Sequence, residues 1–292
     1  MPGARVLVTG GEGFLGRQIV AALRALGATV LAPAHRTADL LTEAGRAVIA
    51  AGGAEILVHG AWVTDDGAFW QSPQNLEWVA ASVDLARRFR AAGGERIVFI
   101  GSCAEYTWSP SDAAWTESRA CRPFTPYGAA KLLTWTALRD LARRTGLVAL
   151  NARVFSPVGP HERPHRLLPS LIRAVLHEEP LAVGPASETR DLVDVRDAGE
   201  AVARLALARV GGVVNVGSGR PVRLDELVAA VAGAAAPLVR LGGRQLPRGE
   251  PIRMVADIGR LRRVTGFGPR IPLAETIADS FAHWQAALAL AA

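Results

Sequence analysis

Short apolar runs alternate with helical periods along the first half of this chain. Val6-Leu7-Val8, Thr29-Val30-Leu31, Ile56-Leu57-Val58, Ile97-Val98-Phe99-Ile100 and Val148-Ala149-Leu150 each adjoin an amphipathic stretch. Strands that are apolar throughout are buried on both faces, and helices between them supply the crossovers. The pattern predicts an α/β fold, a doubly wound parallel sheet. After Val154 the texture changes, with Pro157, Pro160, Pro164 and Pro169 in quick succession, so the chain is expected to build a smaller C-terminal lobe. Leu192-Val193-Asp194-Val195 and Val213-Val214-Asn215-Val216 predict brief returns to the sheet. The expected division is residues 1–155, with returns near 190–216, as the sheet domain, and 156–189 with 217–292 as the lobe.

The first strand runs into Thr9-Gly10-Gly11-Glu12-Gly13-Phe14-Leu15-Gly16, and a helical period follows at Leu15, Ile19, Leu23 and Leu26 until Gly27. Glycines at 10, 13 and 16 allow a tight turn, close approach of backbone to a pyrophosphate, and helix-to-strand packing. The helix start adds amide donors, so this stretch predicts dinucleotide binding. An acidic residue after the second strand would accept from an adenosine 2′-hydroxyl, but Ala32-Pro33-Ala34-His35-Arg36 offers none. His35 and Arg36 could instead meet a 2′-phosphate, so NADP(H) is favoured over NAD(H), which stays open.

The stretch Tyr127-Gly128-Ala129-Ala130-Lys131 holds one of two tyrosines and the single lysine among 33 basic residues. A helix starting near Thr125 puts residues 127 and 131 one turn apart on one face. A tyrosine that moves a proton near neutrality needs its pKa lowered from about 10, and a compact ammonium one turn away does this better than a guanidinium. Ser102, at the C-terminal end of the fourth strand, faces the crevice where such sheets hold cofactors, and its hydroxyl could hold a carbonyl oxygen.

Composition narrows the function classes. The net charge is +6, yet arginines are scattered, with no basic run interleaved with aromatics, so nucleic acid is not expected as a partner. No segment has the length and apolarity of a membrane span or a secretory leader, which predicts a cytoplasmic protein. Cys103 and Cys121 read as two free thiols, and no metal-ligand spacing is present.

The combination of TGGEGFLG, GSCAEY and YGAAK resembles the extended short-chain dehydrogenase/reductase family acting on nucleotide-diphosphate sugars. Further marks lie along nearly the whole chain. His59-Gly60-Ala61 resembles the family's cofactor-side strand motif, and the segment from Arg153 to Pro160 its next one. The segment from Arg190 to Asp197, Asn215 to Gly219, and Arg248-Gly249-Glu250 match others. The resemblance implies Tyr127 as acid/base, Lys131 lowering its pKa and holding the nicotinamide ribose, and Ser102 bonding the reacting oxygen. It further implies cofactor contacts at Gly10, Gly13, Phe14, Leu15, Gly16, His35, Arg36, Asp39, Leu40, Gly60, Ala61 and Phe155. Substrate contacts are implied at Ser102, Ser156, Arg190 and Arg248, the two arginines meeting the diphosphate and nearby ribose.

The short connection from the second strand to Asp39-Leu40 is most similar to the branch of deoxysugar 4-ketoreductases and GDP-fucose synthase. Fucose synthase epimerises with a cysteine and a histidine at places that hold Ala104 and Arg166 here. Cys103, His161 and His165 lie close by without matching. Ser156 stands where many relatives carry asparagine. The reading is an NADPH-dependent reductase of a nucleotide-bound 4-keto-6-deoxysugar, with an NAD-dependent 4-epimerase as the alternative. A non-catalytic dinucleotide sensor has no need of Ser102, Tyr127 and Lys131 together. The oligomeric state is left open, a homodimer among the options.

Overall fold

The computed structural model describes residues 3–63, 68–109, 113–246 and 249–290. Six parallel strands form the main sheet: β1 (Arg5–Thr9), β2 (Thr29–Leu31), β3 (Ile56–His59), β4 (Arg96–Ser102), β5 (Val148–Val154) and, later in the chain, β9 (Gly212–Val216). Their order across the sheet is β2-β1-β3-β4-β5-β9. The chain passes from β1 to one neighbour, β2, and then crosses to the other, β3. The carboxyl ends of β1 and β3 therefore open onto a topological switch point, where ligands of such sheets bind.

Helices cover both faces. α1 (Phe14–Ala25) packs with α6 (Val195–Leu207) on one side. There Ile19, Leu23, Val202 and Leu205 bury against Val6, Val8, Val98 and Leu150. On the other side lie α2 (Glu43–Ala50), α3 (Gln74–Ala91) and α4 (Pro126–Thr145). Trp78, Leu85, Phe89, Trp135 and Leu138 meet Leu7, Leu57, Ile97 and Phe99 there. Successive residues of each central strand thus feed opposite cores, which is why these strands are apolar throughout.

A second sheet surrounds β8 (Thr189–Asp194). β10 (Pro221–Arg223) pairs antiparallel on one edge, and β6 (Ser156–Val158) and β12 (Arg253–Met254) pair parallel with successive parts of β8. β7 (Leu181–Ala182) and β11 (Val239–Arg240) make a small parallel pair beside it. α5 (Leu167–His177), α7 (Leu224–Ala232) and α9 (Leu273–Ala289) enclose a third core of Leu168, Leu171, Leu192, Leu227 and Ile277. α8 (Gly259–Thr265) buries Leu261 against the first core.

Of the two expected returns to the main sheet, one is present and one is corrected. Val213–Val216 lie in β9, paired to β5. Leu192 and Val193 lie instead in β8, outside the main sheet, because β9 already occupies the free edge of β5. An apolar run reports burial, not which sheet provides it.

Candidate active site

β1 ends at Thr9, and the chain turns through Gly10, at φ +72°, into α1. A Cβ on Gly10 would lie 2.8 Å from the Ala61 nitrogen, and one on Gly16 would collide with the Gly10 carbonyl. Both positions are closed to side chains. At Gly13, the residue that opens α1, a Cβ would meet only the Gly10 carbonyl, at 3.2 Å, and no side chain caps the helix. The space before the helix start is open and its amides face it, as a phosphate group requires.

A cleft with about 540 Å³ of open space lies over this loop, lined by Thr9, Gly10, Glu12, Gly13, Pro33, His35, Ala38, Leu40, Ile49, Ala61 and Trp78. It gathers Gly10, Gly13, His35, Leu40 and Ala61 of the expected cofactor residues, with Phe14 and Leu15 in the adjoining first turn of α1. Gly60 donates to the Thr9 carbonyl at 3.1 Å, which draws β3 across the loop. Arg36 is exposed beside His35. Asp39 turns inward along its own backbone, accepting from the Leu41 nitrogen at 2.9 Å. Phe155 is elsewhere: its ring is buried near Tyr106 and Trp115, leaving only backbone for a ligand. Ile49 and Trp78 carry no signal in the sequence, because they come from helices packed beneath the cleft and belong to no loop motif; Thr9 joins the lining only as the last residue of its strand.

Ser102 closes β4 and caps the 3-10 turn Cys103–Glu105. Its Oγ accepts from the Ala104 nitrogen at 3.1 Å, and its own nitrogen donates to Glu105 Oε1 at 2.9 Å. Glu105 is fully buried; its other oxygen accepts from Asn151 Nδ2 and Arg153 Nε, each at 2.8 Å. Gly101 makes this possible, since a Cβ there would collide with Asn151 and Glu105. Glu105 is absent from the sequence-predicted site, and its only signal there is an acid three residues after a serine at a strand end, a capping box.

α4 starts where expected, with Thr125 as N-cap accepting from Gly128 at 3.1 Å and Pro126 in its first turn. Gly128 lets the helix touch the 3-10 turn, for a Cβ would collide with the Ala104 carbonyl. That contact brings Tyr127 beside Ser102. Tyr127 as a residue is half-buried, yet its phenol is pushed well above the ordinary value, burial leading and the Ser102 hydroxyl acting the other way.

Lys131 is buried, donates to the Ile100 carbonyl at 3.0 Å, and holds its Nζ 3.9 Å above the centre of the Trp62 ring. Trp62 is fixed by its own bond to Asn75 Oδ1 at 2.8 Å. Burial pulls the Lys131 ammonium down to about 7, with Glu105 acting the other way. The expected lowering of the Tyr127 pKa is outweighed by burial here, and the ammonium turns toward Ile100 and Trp62, 5.7 Å from the phenol's ring centre. Below the lysine, His59 bonds Thr9 Oγ1 at 2.7 Å and Ser82 Oγ at 2.8 Å; burial, then Lys131, lower it to about 3, so it is a neutral support.

The lobe residues are placed differently. Arg190 is buried and engaged by Glu188 at 2.9 Å, Glu250 at 2.8 Å and three backbone carbonyls. Arg248 lies outside the described residues. Ser156 opens β6, half-buried, in register with Leu192. Ala104 is buried, and Arg166 precedes α5 with its Nε 3.4 Å from Glu162 Oε1. His161 pairs with His283 at 4.2 Å between ring centres, on the α9 side. Among the described residues no cluster of metal-ligating side chains occurs, no helix is long and apolar enough to cross a membrane, and both cysteines are free.

A doubly wound sheet with a glycine loop at its switch point and a serine, tyrosine and lysine at one crevice defines an NAD(P)-dependent enzyme of the extended short-chain dehydrogenase/reductase type. The chain belongs to the NAD-dependent epimerase/dehydratase family, whose model matches residues 6–217. It is 29% identical to a UDP-glucose 4-epimerase of Azospirillum brasilense over 97% of this chain and 92% of that protein. It is 27% identical to a dTDP-6-deoxy-L-talose 4-dehydrogenase (NAD(P)(+)) of Kitasatospora kifunensis over 94% of each. Among solved structures, that of RMD from Pseudomonas aeruginosa complexed with NADPH superposes with a TM-score of 0.84 at 26% identity, covering 97% of this chain and 99% of that one.

Proposed function

We propose that this protein reduces a nucleotide-diphosphate-bound 4-keto-6-deoxysugar with NADPH. The observation that carries the reading is the convergence of Ser102, Tyr127 and Lys131 on one crevice, where the close contact of Gly128 with the Ala104 carbonyl brings the Tyr127 phenol beside the serine that ends β4. A phenol is protonated at neutral pH, as a proton donor must be when the step begins. Reducing a ketone adds hydride to carbon and a proton to oxygen, and the nicotinamide, when bound, supplies the hydride. Tyr127 gives the proton to the C4 oxygen. Ser102, whose Oγ already accepts from Ala104, donates its own hydroxyl proton to the same oxygen as a hydrogen bond.

Gly10, Gly13, Gly16 and Ala61 would hold the dinucleotide, with Lys131 on its nicotinamide ribose and His35 and Arg36 on a 2′-phosphate. In this reading residues 1–155 with the β9 return serve the cofactor. Residues 156–189 and 217–292 serve the sugar nucleotide, Arg190 and Arg248 at the diphosphate and Ser156 near the sugar. Epimerisation beyond C4 requires a base to take a carbon-bound proton. Ala104 has none, and the Cys103 thiol is pushed up to about 11, chiefly by burial.

The likeness to the Azospirillum 4-epimerase favours the second reading, oxidation and re-reduction at C4. One assay separates the two. A panel of 4-keto-6-deoxy sugar nucleotides should consume NADPH stoichiometrically. Conversion of UDP-glucose to UDP-galactose with no net change in cofactor would replace the reductase by the epimerase.

A further inference from the structure

A chain of aromatic rings begins at Tyr127 and leads to the rim of the lobe. Phe69 and Trp70, in a 3-10 turn (Ala68–Trp70), stack on each other at 4.7 Å and meet the Tyr127 ring edge-on at 5.0 and 5.3 Å. Trp70 in turn meets Trp108 at 6.4 Å, and Trp108 stacks on Phe124 at 5.7 Å with planes 17° apart. Phe124, 54% exposed, sits against Gly249, where a Cβ would lie 2.9 Å from its ring. None of these four side chains is fully buried. Large half-open aromatics contiguous with a reactive group mark a binding surface more than a core.

We propose that Phe69, Trp70, Trp108 and Phe124 form the apolar wall of the sugar site and select a hexose whose C6 is a methyl group. The proposal rests on the nucleotide-sugar reading above and adds the residues that read C6. In the proposed pose, with the C4 oxygen at Ser102 and Tyr127, the C5 side of the sugar and not the C3 side lies along these rings, which adjoin the Tyr127 phenol. Ring faces offer van der Waals contact and no strong acceptor, and the unpartnered indole N–H of Trp108 is buried away from the surface, so a C6 hydroxyl laid on the faces would give up water without an equivalent partner. A pocket of this kind rejects an added hydroxyl by about tenfold to a hundredfold.

The test is a binding experiment on protein saturated with NADPH, in which sugar nucleotides that already carry a C4 hydroxyl cannot react. Paired fucosyl and galactosyl nucleotides of the same series and anomeric configuration (D with D, L with L), differing only at C6, are titrated by calorimetry as thymidine, uridine and guanosine diphosphates. The fucosyl member should bind at least tenfold tighter for the accepted base. Trp70→Ala should bring the ratio within threefold while leaving NADPH affinity within about twofold, and any fall in melting temperature is separated from the ratio by titrating well below the transition. Phe124→Ala, at an exposed ring that folding does not need, should reduce the ratio by at least twofold. Discrimination below threefold in the wild-type protein, discrimination retained in both variants, or failure of every pair to bind would each overturn the proposal. Selection for C6 without ketone reduction would sink the reductase reading alone, and ketone reduction without selection would sink the aromatic wall alone.

Discussion

Replacing Glu105 by glutamine tests whether a buried carboxylate holds the serine side of the site together. Its two oxygens take three bonds, from the Ser102 nitrogen, Asn151 Nδ2 and Arg153 Nε, at 2.8–2.9 Å. A glutamine has one acceptor oxygen and two donor hydrogens in the same space. If the oxygen faces Arg153, the amide nitrogen confronts the Ser102 nitrogen; if it faces Ser102, the amide confronts Asn151 and Arg153. In either orientation a buried donor loses its acceptor, and the Arg153 guanidinium, 3% exposed, loses its counter-charge. Breaking a buried pair from one side costs about 3–5 kcal/mol. At about 2–4 °C per kcal/mol for a chain approaching this size, the melting temperature should fall by roughly 6–20 °C.

Catalysis should suffer as well, because the backbone that aims Ser102 is released and Lys131 loses the carboxylate that raises its pKa. Thermal melts with and without NADPH, together with turnover, are the assay. A double variant, Glu105→Gln with Arg153→Met, removes both charges and should recover at least about 1 kcal/mol relative to the sum of the single changes. A Glu105→Gln protein that melts within 2 °C (roughly 1 kcal/mol) of the wild type, or two substitutions that add without coupling, would refute this account.

The remaining expectations concern the cofactor and the proton. Tyr127→Phe should keep NADPH affinity within about twofold and lower turnover at least a hundredfold, about 2.7 kcal/mol of barrier; substantial turnover would move the donor role elsewhere. Lys131→Arg must fit a larger cation between the Ile100 carbonyl and the Trp62 ring, so single-turnover kinetics should show at least a tenfold loss, about 1.4 kcal/mol. Arg36→Ala should weaken NADPH by roughly 1.5–3 kcal/mol, the worth of one charge-assisted bond, and leave NADH unchanged by titration. The Lys131 pKa lies below its unfolded value, so between about 7 and the unfolded range the unfolded chain binds the extra proton. Stability without cofactor should therefore gain from this group as pH rises above 7, and the gain should vanish in Lys131→Met when urea midpoints at pH 6 and pH 9 are compared.

Much of this site is legible in the sequence because its chemistry is local. Gly10, Gly13 and Gly16 carry their meaning in their spacing, and Thr125-Pro126 announces the helix that presents Tyr127 and Lys131. Residues that act across the fold leave no such trace. Trp62 reads as one more apolar residue after β3 until α4 sets Lys131 over its ring. Glu105 reads as a surface acid until β5 delivers Asn151 and Arg153 to it. The placement of β8 is hidden for a similar reason, since Leu192 and Val193 would be equally apolar in either sheet. Tyr127 shows the limit of arguing from one neighbour. A cation four residues away suggests a lowered pKa, but desolvation, which depends on every element packed around the phenol, decides the sign.

Arg190 carries a consequence for selectivity. Its Nη2 is held between Glu188 and Glu250, and its Nη1 donates to backbone carbonyls. If Arg190 meets the substrate's diphosphate as proposed, that anion competes with carboxylates of the arginine's own chain, so the resting protein would carry an internal competitor at this position. Weak or singly charged anions, inorganic phosphate among them, face a rival already at full effective concentration. A ligand anchored at several other points can win the exchange, because its anion arrives as part of a molecule that is already bound. In that reading the ion pair between β8 and Glu250 would act as a threshold, tying occupancy of the arginine to recognition of a whole ligand and not to charge alone.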